Sequence, residues 1–124
     1  MEIAKSISAL STCNRKQVGA VIIRDGRCIS WGFNGVAPGE PHCNHVDDEP
    51  CANAVHAESN AIAFAARQGI STESAELFVT VSPCSTCARL VIAAGICRVT
   101  YHEPYRDSSG VELLERLGVG VDQI

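Results

Sequence analysis

The sequence predicts an α/β fold in which two layers of helix enclose a central mixed five-stranded sheet, a three-layer α/β/α arrangement. Two features lead to this prediction. The Asp25-Gly26 pair separates the apolar runs 18–23 and 28–32, which is typical of an antiparallel hairpin. From residue 77 onward, strand-like and helix-like segments alternate, and strands connected through helices run parallel with right-handed crossovers.

The elements are expected in the order α-β-β-α-β-α-β-α-β. The first helix should cover residues 2–11, where Ile3, Ile7 and Leu10 recur at helical spacing. Gly69 and Gly95 should end the second and third helices. The remaining predicted elements are helix 56–67, strand 77–81, helix 84–94, strand 96–101, helix 111–117 and strand 119–121.

The stretch 33–55 has no regular periodicity, because glycine and proline interrupt it repeatedly. A loop of this length in a small domain is usually functional. It holds a high density of polar and metal-capable side chains: Asn34, His42, Cys43, His45 and Cys51.

Size and composition exclude several classes of protein. A chain of 124 residues should form one domain, 1–124, and its net charge of −4 argues against binding a nucleic acid polymer. It has no apolar run of membrane-spanning length and no signal-peptide pattern, so a cytoplasmic protein that does not bind membranes is expected. Seven cysteines, an odd number, favour metal ligation or free thiols over disulfides. Cys28 and Cys97 lie in apolar runs and are expected to be buried.

Four residues have the pattern of a catalytic zinc site. His56, Cys84 and Cys87 provide three nitrogen and sulfur ligands, and catalytic zinc leaves the fourth position to water. The spacing of the two cysteines places both thiols on the first turn of one helix, whose N-terminus favours thiolates. The full H-x-E…P-C-x-x-C pattern is the signature of the zinc-dependent cytosine and adenine deaminases.

Glu58 is the expected catalytic residue. It follows His56 by two positions and can take a proton from the zinc-activated water and pass it to a ring nitrogen and the departing amine. Alone, the C-x-x-C pair would fit a structural zinc or a redox pair equally well, and His-x-Glu is common by chance. Their combination at two helix starts favours catalysis.

Beyond the zinc motif, the chain resembles the deoxycytidylate (dCMP) deaminases of the cytidine deaminase superfamily almost from end to end. The matching segments are Cys13 with 18–22, then 25–27, 32–35, 56–62, 77–80, 95–96 and 101–105. The Gly32-Phe33-Asn34-Gly35 turn and Tyr105 are the more family-specific of these. The resemblance implies a cytidine-deaminase-like fold and the hydrolysis of dCMP to dUMP and ammonia, which supplies thymidylate synthesis.

The resemblance also implies the residues that bind substrate. Asn34 would hydrogen-bond the nucleotide, Tyr105 would line its pocket, and the Ala57 main chain with Ser82 and Pro83 would hold the polar edge of the pyrimidine. A simple turn role for Asn34 and a surface position for Tyr105 are the alternatives. For the 5′-phosphate, charge alone suggests Arg15, Lys16 or Arg106.

Members of this family commonly form homohexamers. Many are activated by dCTP and inhibited by dTTP, and Mg could bind together with dCTP. Phe64 and Arg67 fall where family effector and subunit contacts tend to lie, although core packing and solvation would explain them too.

A second, structural zinc is also expected. Its four ligands would be Cys13, Cys43 and Cys51 with His45 or His42. Three reduced thiols are the alternative.

Other functions share parts of this pattern. A transfer-RNA adenosine deaminase has the same zinc motif but needs a basic surface, and free-nucleoside cytidine deaminases usually have cysteine where His56 stands. A structural zinc module without catalysis would not need Glu58.

Overall fold

The computed structural model describes residues 1–13, 15–42 and 53–124, which form four helices and seven strands. In chain order these are α1 (Glu2–Ser8), β1 (Gly19–Arg24), β2 (Arg27–Phe33), β3 (Gly35–Val36), β4 (Ala54–Val55), α2 (Ala57–Arg67), β5 (Glu76–Val81), α3 (Ser85–Ala93), β6 (Arg98–Glu103), α4 (Ser109–Arg116) and β7 (Gly120–Gln123). In the described part of the chain, no helix is long and apolar enough to cross a membrane.

The central sheet has five strands in the order β2-β1-β5-β6-β7. Strand β1 pairs antiparallel with β2 and β5, whereas β5, β6 and β7 run parallel. The predicted mixed sheet, its hairpin at Asp25-Gly26 and its parallel half are therefore confirmed. Strands β3 and β4 form a separate two-stranded sheet that the sequence did not predict.

Helices lie on both faces of this sheet. Gly19 of β1 approaches Ala4 of α1. Gly32 of β2 approaches α2 and pairs with Ala20, the neighbour of Gly19 in β1. Since successive residues of a strand point to opposite faces, α1 and α2 cover opposite sides, and the three-layer prediction is confirmed.

The core lies under α2, α3 and α4. Its largest fully buried side chains include Ile22, Leu77, Val79, Val99 and Leu114. Helix α2 contributes fully buried alanines at positions 57, 61 and 65, whose small side chains let the helix lie close to the sheet. At Gly32 the approach is so close that a Cβ atom would lie 2.6 Å from the Ala57 carbonyl oxygen and the Ala61 nitrogen.

Several sequence-based boundaries differ from the structure by a few residues. Helix α1 ends at Ser8 rather than at residue 11, and α2 and α3 each begin one residue later than expected. The prediction that Cys28 and Cys97 are buried was wrong, since both are exposed. Cys28 lies on the edge strand β2, and Cys97 precedes β6, so apolar neighbours in sequence did not make either position internal.

Gly32→Ala should destabilise the fold because the added methyl group must displace the α2 backbone. We expect the free energy of unfolding to fall by about 1–3 kcal/mol, the usual cost of overpacking, in urea denaturation. Gly35→Ala is the matched control, since a Cβ there meets only Thr12 Oγ1 at 3.9 Å. Its expected change is within about 0.5 kcal/mol. Equal stability of the two variants would contradict the proposed close contact.

Candidate metal centre and its cavity

The predicted metal ligands lie at the starts of two helices. His56 is the N-cap of α2 and Cys84 is the N-cap of α3, both with extended backbone dihedrals. Cys87 lies in the first turn of α3, as the C-x-x-C spacing predicted. The ligand atoms of these three residues all lie within 4.8 Å of one another. Packing of α2 and α3 therefore joins two motifs that are separate in sequence.

The geometry of the cluster fits zinc. The Nδ1 atom of His56 lies 3.3 Å from Cys87 Sγ and 3.6 Å from Cys84 Sγ. Zinc–nitrogen and zinc–sulfur bonds of ordinary length at a tetrahedral angle give a nitrogen–sulfur separation of roughly 3.6 Å. One imidazole and two thiols are also a donor set that zinc accepts, with Nδ1 as the ligating nitrogen.

The thiols are unequal when no metal is present. A hydrogen bond from the Cys87 thiol, followed by one from His56, lowers the pKa of Cys84 to about 3. The pKa of Cys87 is raised, because ionisation would break its bond to Cys84 and put a second negative charge in a partly buried site. The hydrogen bond with Cys84 likewise raises the pKa of His56. Metal binding must therefore displace protons from this cluster.

Glu58, the predicted catalytic residue, lies in the first turn of α2 and is only 4% exposed. Burial raises the pKa of its carboxyl group to about 7, although its own backbone N–H and the nearby His56 oppose the shift. Its side chain lines the same cavity as His56 and Cys84. A carboxyl group with this pKa can both accept and donate a proton near neutrality.

The cavity beside the cluster brings together most of the predicted substrate-binding residues. Asn34, Ala57, Ser82 and Tyr105 all line it, whereas Pro83 is fully buried and is not one of its lining residues. The wall also contains Cys13, Arg15, Lys16, Val18, Ala54 and Val81. Two of the three candidate phosphate-binding cations, Arg15 and Lys16, are therefore at the cavity, and Arg106 lies next to it with its guanidinium 5.7 Å from the ring centre of Tyr105.

Asn34 uses both ends of its side-chain amide within the protein. Its Oδ1 accepts a hydrogen bond from the Val18 N–H at 2.8 Å, and its Nδ2 donates to the Lys16 carbonyl oxygen at 2.8 Å. This bridge orders the 16–18 segment at the cavity wall. Asn34 therefore does more than the simple turn role considered from the sequence.

Ser82 also shapes the cavity wall. It is 4% exposed, and its Oγ accepts a hydrogen bond of 2.7 Å from the Tyr105 N–H. The Ser82 N–H in turn donates to the Glu103 carbonyl oxygen. Tyr105 is thus held at the cavity by Ser82, a connection that the sequence did not indicate.

The structure does not test the expected second zinc site. Cys43, His45 and Cys51 lie outside the described residues. Cys13 is buried at the cavity, and His42 is exposed. The described part of the chain offers one cluster of three or more potential metal ligands, the one formed by His56, Cys84 and Cys87.

Gly110 is a site-forming residue that sequence reasoning missed. It lies in α4, and a Cβ atom there would overlap the Pro83 carbonyl and the Cys84 backbone. The absence of a side chain thus lets α4 support the turn that presents Cys84. No local sequence signal could have revealed this, because the contact depends on how α3 and α4 pack.

Comparison with known proteins agrees with this geometry. Residues 1–103 match the family described as the cytidine and deoxycytidylate deaminase zinc-binding region. ComE operon protein 2 of Bacillus subtilis is 43% identical over 119 residues, which cover 92% of this chain and 63% of that protein. The deoxycytidylate deaminase of Schizosaccharomyces pombe is 33% identical over 136 residues, covering 99% of this chain and 42% of that enzyme. The chain thus spans less than two thirds of the length of either relative.

A solved structure is similar over nearly the whole chain. The dCMP deaminase of cyanophage S-TIM5, in complex with dCMP and dUMP, has a TM-score of 0.94 at 34% identity. The likeness covers 99% of this chain and 92% of the cyanophage chain. It confirms the deaminase-like fold that the sequence resemblance implied.

Replacing Glu58 should change how the stability of the metal-free protein depends on pH. In the folded protein the pKa of Glu58 is about 7, above its ordinary value of 4.5. Between these two pH values the Glu58 carboxyl group is protonated in the folded state and ionised in the unfolded state. The free energy of unfolding should therefore fall as the pH rises from about 4.5 through about 7, by up to about 3 kcal/mol.

Glutamine has nearly the same shape as glutamate but no carboxyl group. The Glu58→Gln variant should therefore not lose stability in this way as the pH rises. In urea denaturation of chelator-treated protein, the variant should gain stability relative to the natural chain between pH 5 and pH 8. A stability difference that does not change with pH would contradict the burial of an ionisable Glu58.

Proposed function

Because this chain belongs to the cytidine and deoxycytidylate deaminase family, we propose that it hydrolyses dCMP to dUMP and ammonia in a zinc-dependent reaction. The observation that carries the proposal is the cavity in which a buried carboxyl group, Glu58, lies beside the three-ligand cluster. The similarity to a cyanophage dCMP deaminase bound to dCMP and dUMP supports the choice of substrate.

The zinc ion would be held by His56 Nδ1, Cys84 Sγ and Cys87 Sγ. Zinc in a site with three protein ligands acts as a Lewis acid that brings the pKa of a water molecule close to neutrality. A purely structural zinc is normally closed by a fourth protein ligand, and no fourth metal-binding side chain joins this cluster among the described residues.

Glu58 would carry the protons of the reaction. It takes a proton from the attacking water and delivers it to N3 of the cytosine, while the new C–O bond forms at C4. Glu58 then takes the remaining proton from the new C4 hydroxyl and passes it to the amino group. The C4–N bond breaks as the C4 carbonyl forms, and ammonia leaves uracil behind. Burial raises the pKa of Glu58 in the metal-free protein. This shift opposes the lowering of the pKa by the zinc charge and so favours a carboxyl group that can both accept and donate a proton.

The cavity walls would bind the remainder of the nucleotide. We assign the pyrimidine edge to the Ala57 main chain and to the segment containing Ser82 and Pro83, and the sugar to Asn34 and Tyr105. The position of Asn34, Ala57, Ser82 and Tyr105 around one cavity supports this assignment, whereas Pro83 does not line the cavity. For the 5′-phosphate, Arg15 and Lys16 are favoured over Arg106 because they line the cavity.

Several finer properties are proposed from the family resemblance. The protein would supply dUMP for thymidylate synthesis in the cytoplasm and would assemble as a homohexamer. It would be regulated by dCTP with Mg and by dTTP. A second zinc ion would be bound by Cys13, Cys43, Cys51 and His45. Cys28, Cys84, Cys87 and Cys97 are free thiols, which suits a reducing compartment. An exposed aromatic cluster of Trp31 and Phe64, 42% and 44% exposed, offers apolar surface for subunit contacts.

Ammonia release from dCMP, cytidine, dCTP and adenosine, measured side by side, tests the substrate assignment. We expect turnover of dCMP well above that of cytidine and adenosine, because Arg15 and Lys16 line the cavity beside the zinc cluster. We expect it above that of dCTP because of the similarity to a dCMP deaminase. A preference for cytidine or adenosine would be consistent with zinc-dependent deamination but would reject dCMP as the substrate.

Glu58→Gln separates catalysis from a structural role of the metal. We expect the variant to retain zinc, because Glu58 is not a ligand, and to lose about 10²–10⁴-fold in kcat on dCMP, the usual contribution of acid–base catalysis. Glu115→Gln, on the exposed surface of α4, is the matched control. Unchanged turnover by Glu58→Gln would reject Glu58 as the proton carrier. No turnover by the natural chain with zinc bound would indicate a structural zinc module.

A further inference from the structure

The sulfur of Cys87 has a hydroxyl neighbour for which the deamination chemistry has no use. Ser59 Oγ lies 3.5 Å from Cys87 Sγ, a distance that fits a hydrogen bond to sulfur. Ser59 is the third residue of α2, and Cys87 is the third residue of α3. The contact therefore links the first turns of the two helices that supply the metal ligands.

The Ser59 hydroxyl does not make the hydrogen bond within its own helix that serine usually makes. A helical serine commonly donates to a carbonyl of the preceding turn. Here the side chain makes its hydrogen bond to Cys87 instead, and within the described part of the chain it has no second partner. The hydroxyl proton is thus available for the sulfur atom.

The two sulfurs receive different kinds of donor. Cys84 Sγ accepts from the backbone N–H of Cys87 at 3.4 Å, a bond that belongs to the helix cap. Cys87 Sγ has a side-chain hydroxyl as its neighbour, so its donor can be removed by substitution without altering the backbone.

We propose that Ser59 is a positioning residue for the metal centre, donating its hydroxyl proton to the Cys87 thiolate and thereby fixing and tuning this ligand. The inference rests on the zinc site of the proposed function but not on its substrate. A thiolate that accepts a hydrogen bond gives less electron density to the metal, which makes the metal more acidic. Groups that support metal ligands in this way typically change metal affinity or activity by 10–100-fold when removed.

Cobalt substitution and zinc titration test this role. In the Co(II) form of Ser59→Ala, the sulfur-to-cobalt charge-transfer band should move to longer wavelength, because the sulfur lone pair rises in energy without the hydrogen bond. The zinc Kd, measured by chelator competition, should increase about 10-fold or more. Ser85→Ala is the matched control, since Ser85 is adjacent to Cys84 but has no hydrogen bond to either sulfur among the described contacts.

Effects on folding can be separated from effects on the metal. Alanine has a higher helix propensity than serine, which offsets the loss of the hydrogen bond to Cys87, so metal-free Ser59→Ala should fold with a stability close to that of the natural chain. The variants Ser59→Thr and Ser59→Val are a second matched pair. Threonine and valine have similar shapes, but only threonine has a hydroxyl group. We expect the threonine variant to keep the natural band and Kd, and the valine variant to behave like alanine.

Two results would overturn the proposal. One is a charge-transfer band and zinc Kd in Ser59→Ala equal to those of the natural chain. The other is identical metal binding by the threonine and valine variants. Failure of the natural chain itself to bind zinc or cobalt would instead reject the zinc site, and with it the proposed function.

Discussion

The structure depends on the close approach of two helix N-termini. The first turns of α2 and α3 must lie near enough for His56, Cys84 and Cys87 to place their ligand atoms within 4.8 Å of one another. Small residues make this possible on both sides. Gly32 and the buried alanines let α2 lie directly on the sheet, and Gly110 lets α4 support the turn before α3.

The same arrangement gives the cavity two opposite electrostatic effects. At the start of α3, hydrogen bonds from Cys87 and His56 stabilise the Cys84 thiolate and lower its pKa. In the first turn of α2, burial destabilises the Glu58 carboxylate and raises its pKa. In the metal-free protein, a single site therefore holds an ionised thiolate as a metal ligand and also a carboxyl group that exchanges a proton near neutrality.

Most of the fold and the metal ligands could be predicted because they follow from local patterns. The Asp25-Gly26 turn, the strand–helix alternation and the positions of His56 and Cys84 at the starts of predicted helices are properties of short segments. Strands β3 and β4, with two residues each, are too short to leave a pattern. Gly32, Gly110 and Ser59 act through contacts between elements distant in sequence, so no local signal marks them.

Crystallography with anomalous diffraction at the zinc edge would test the metal centre most directly. We expect a zinc peak bonded to His56 Nδ1, Cys84 Sγ and Cys87 Sγ at roughly 2.0–2.3 Å, with a non-protein ligand in the fourth position on the Glu58 side. A protein side chain in that fourth position would make the site structural. Zinc absent from these three residues would contradict the catalytic centre altogether.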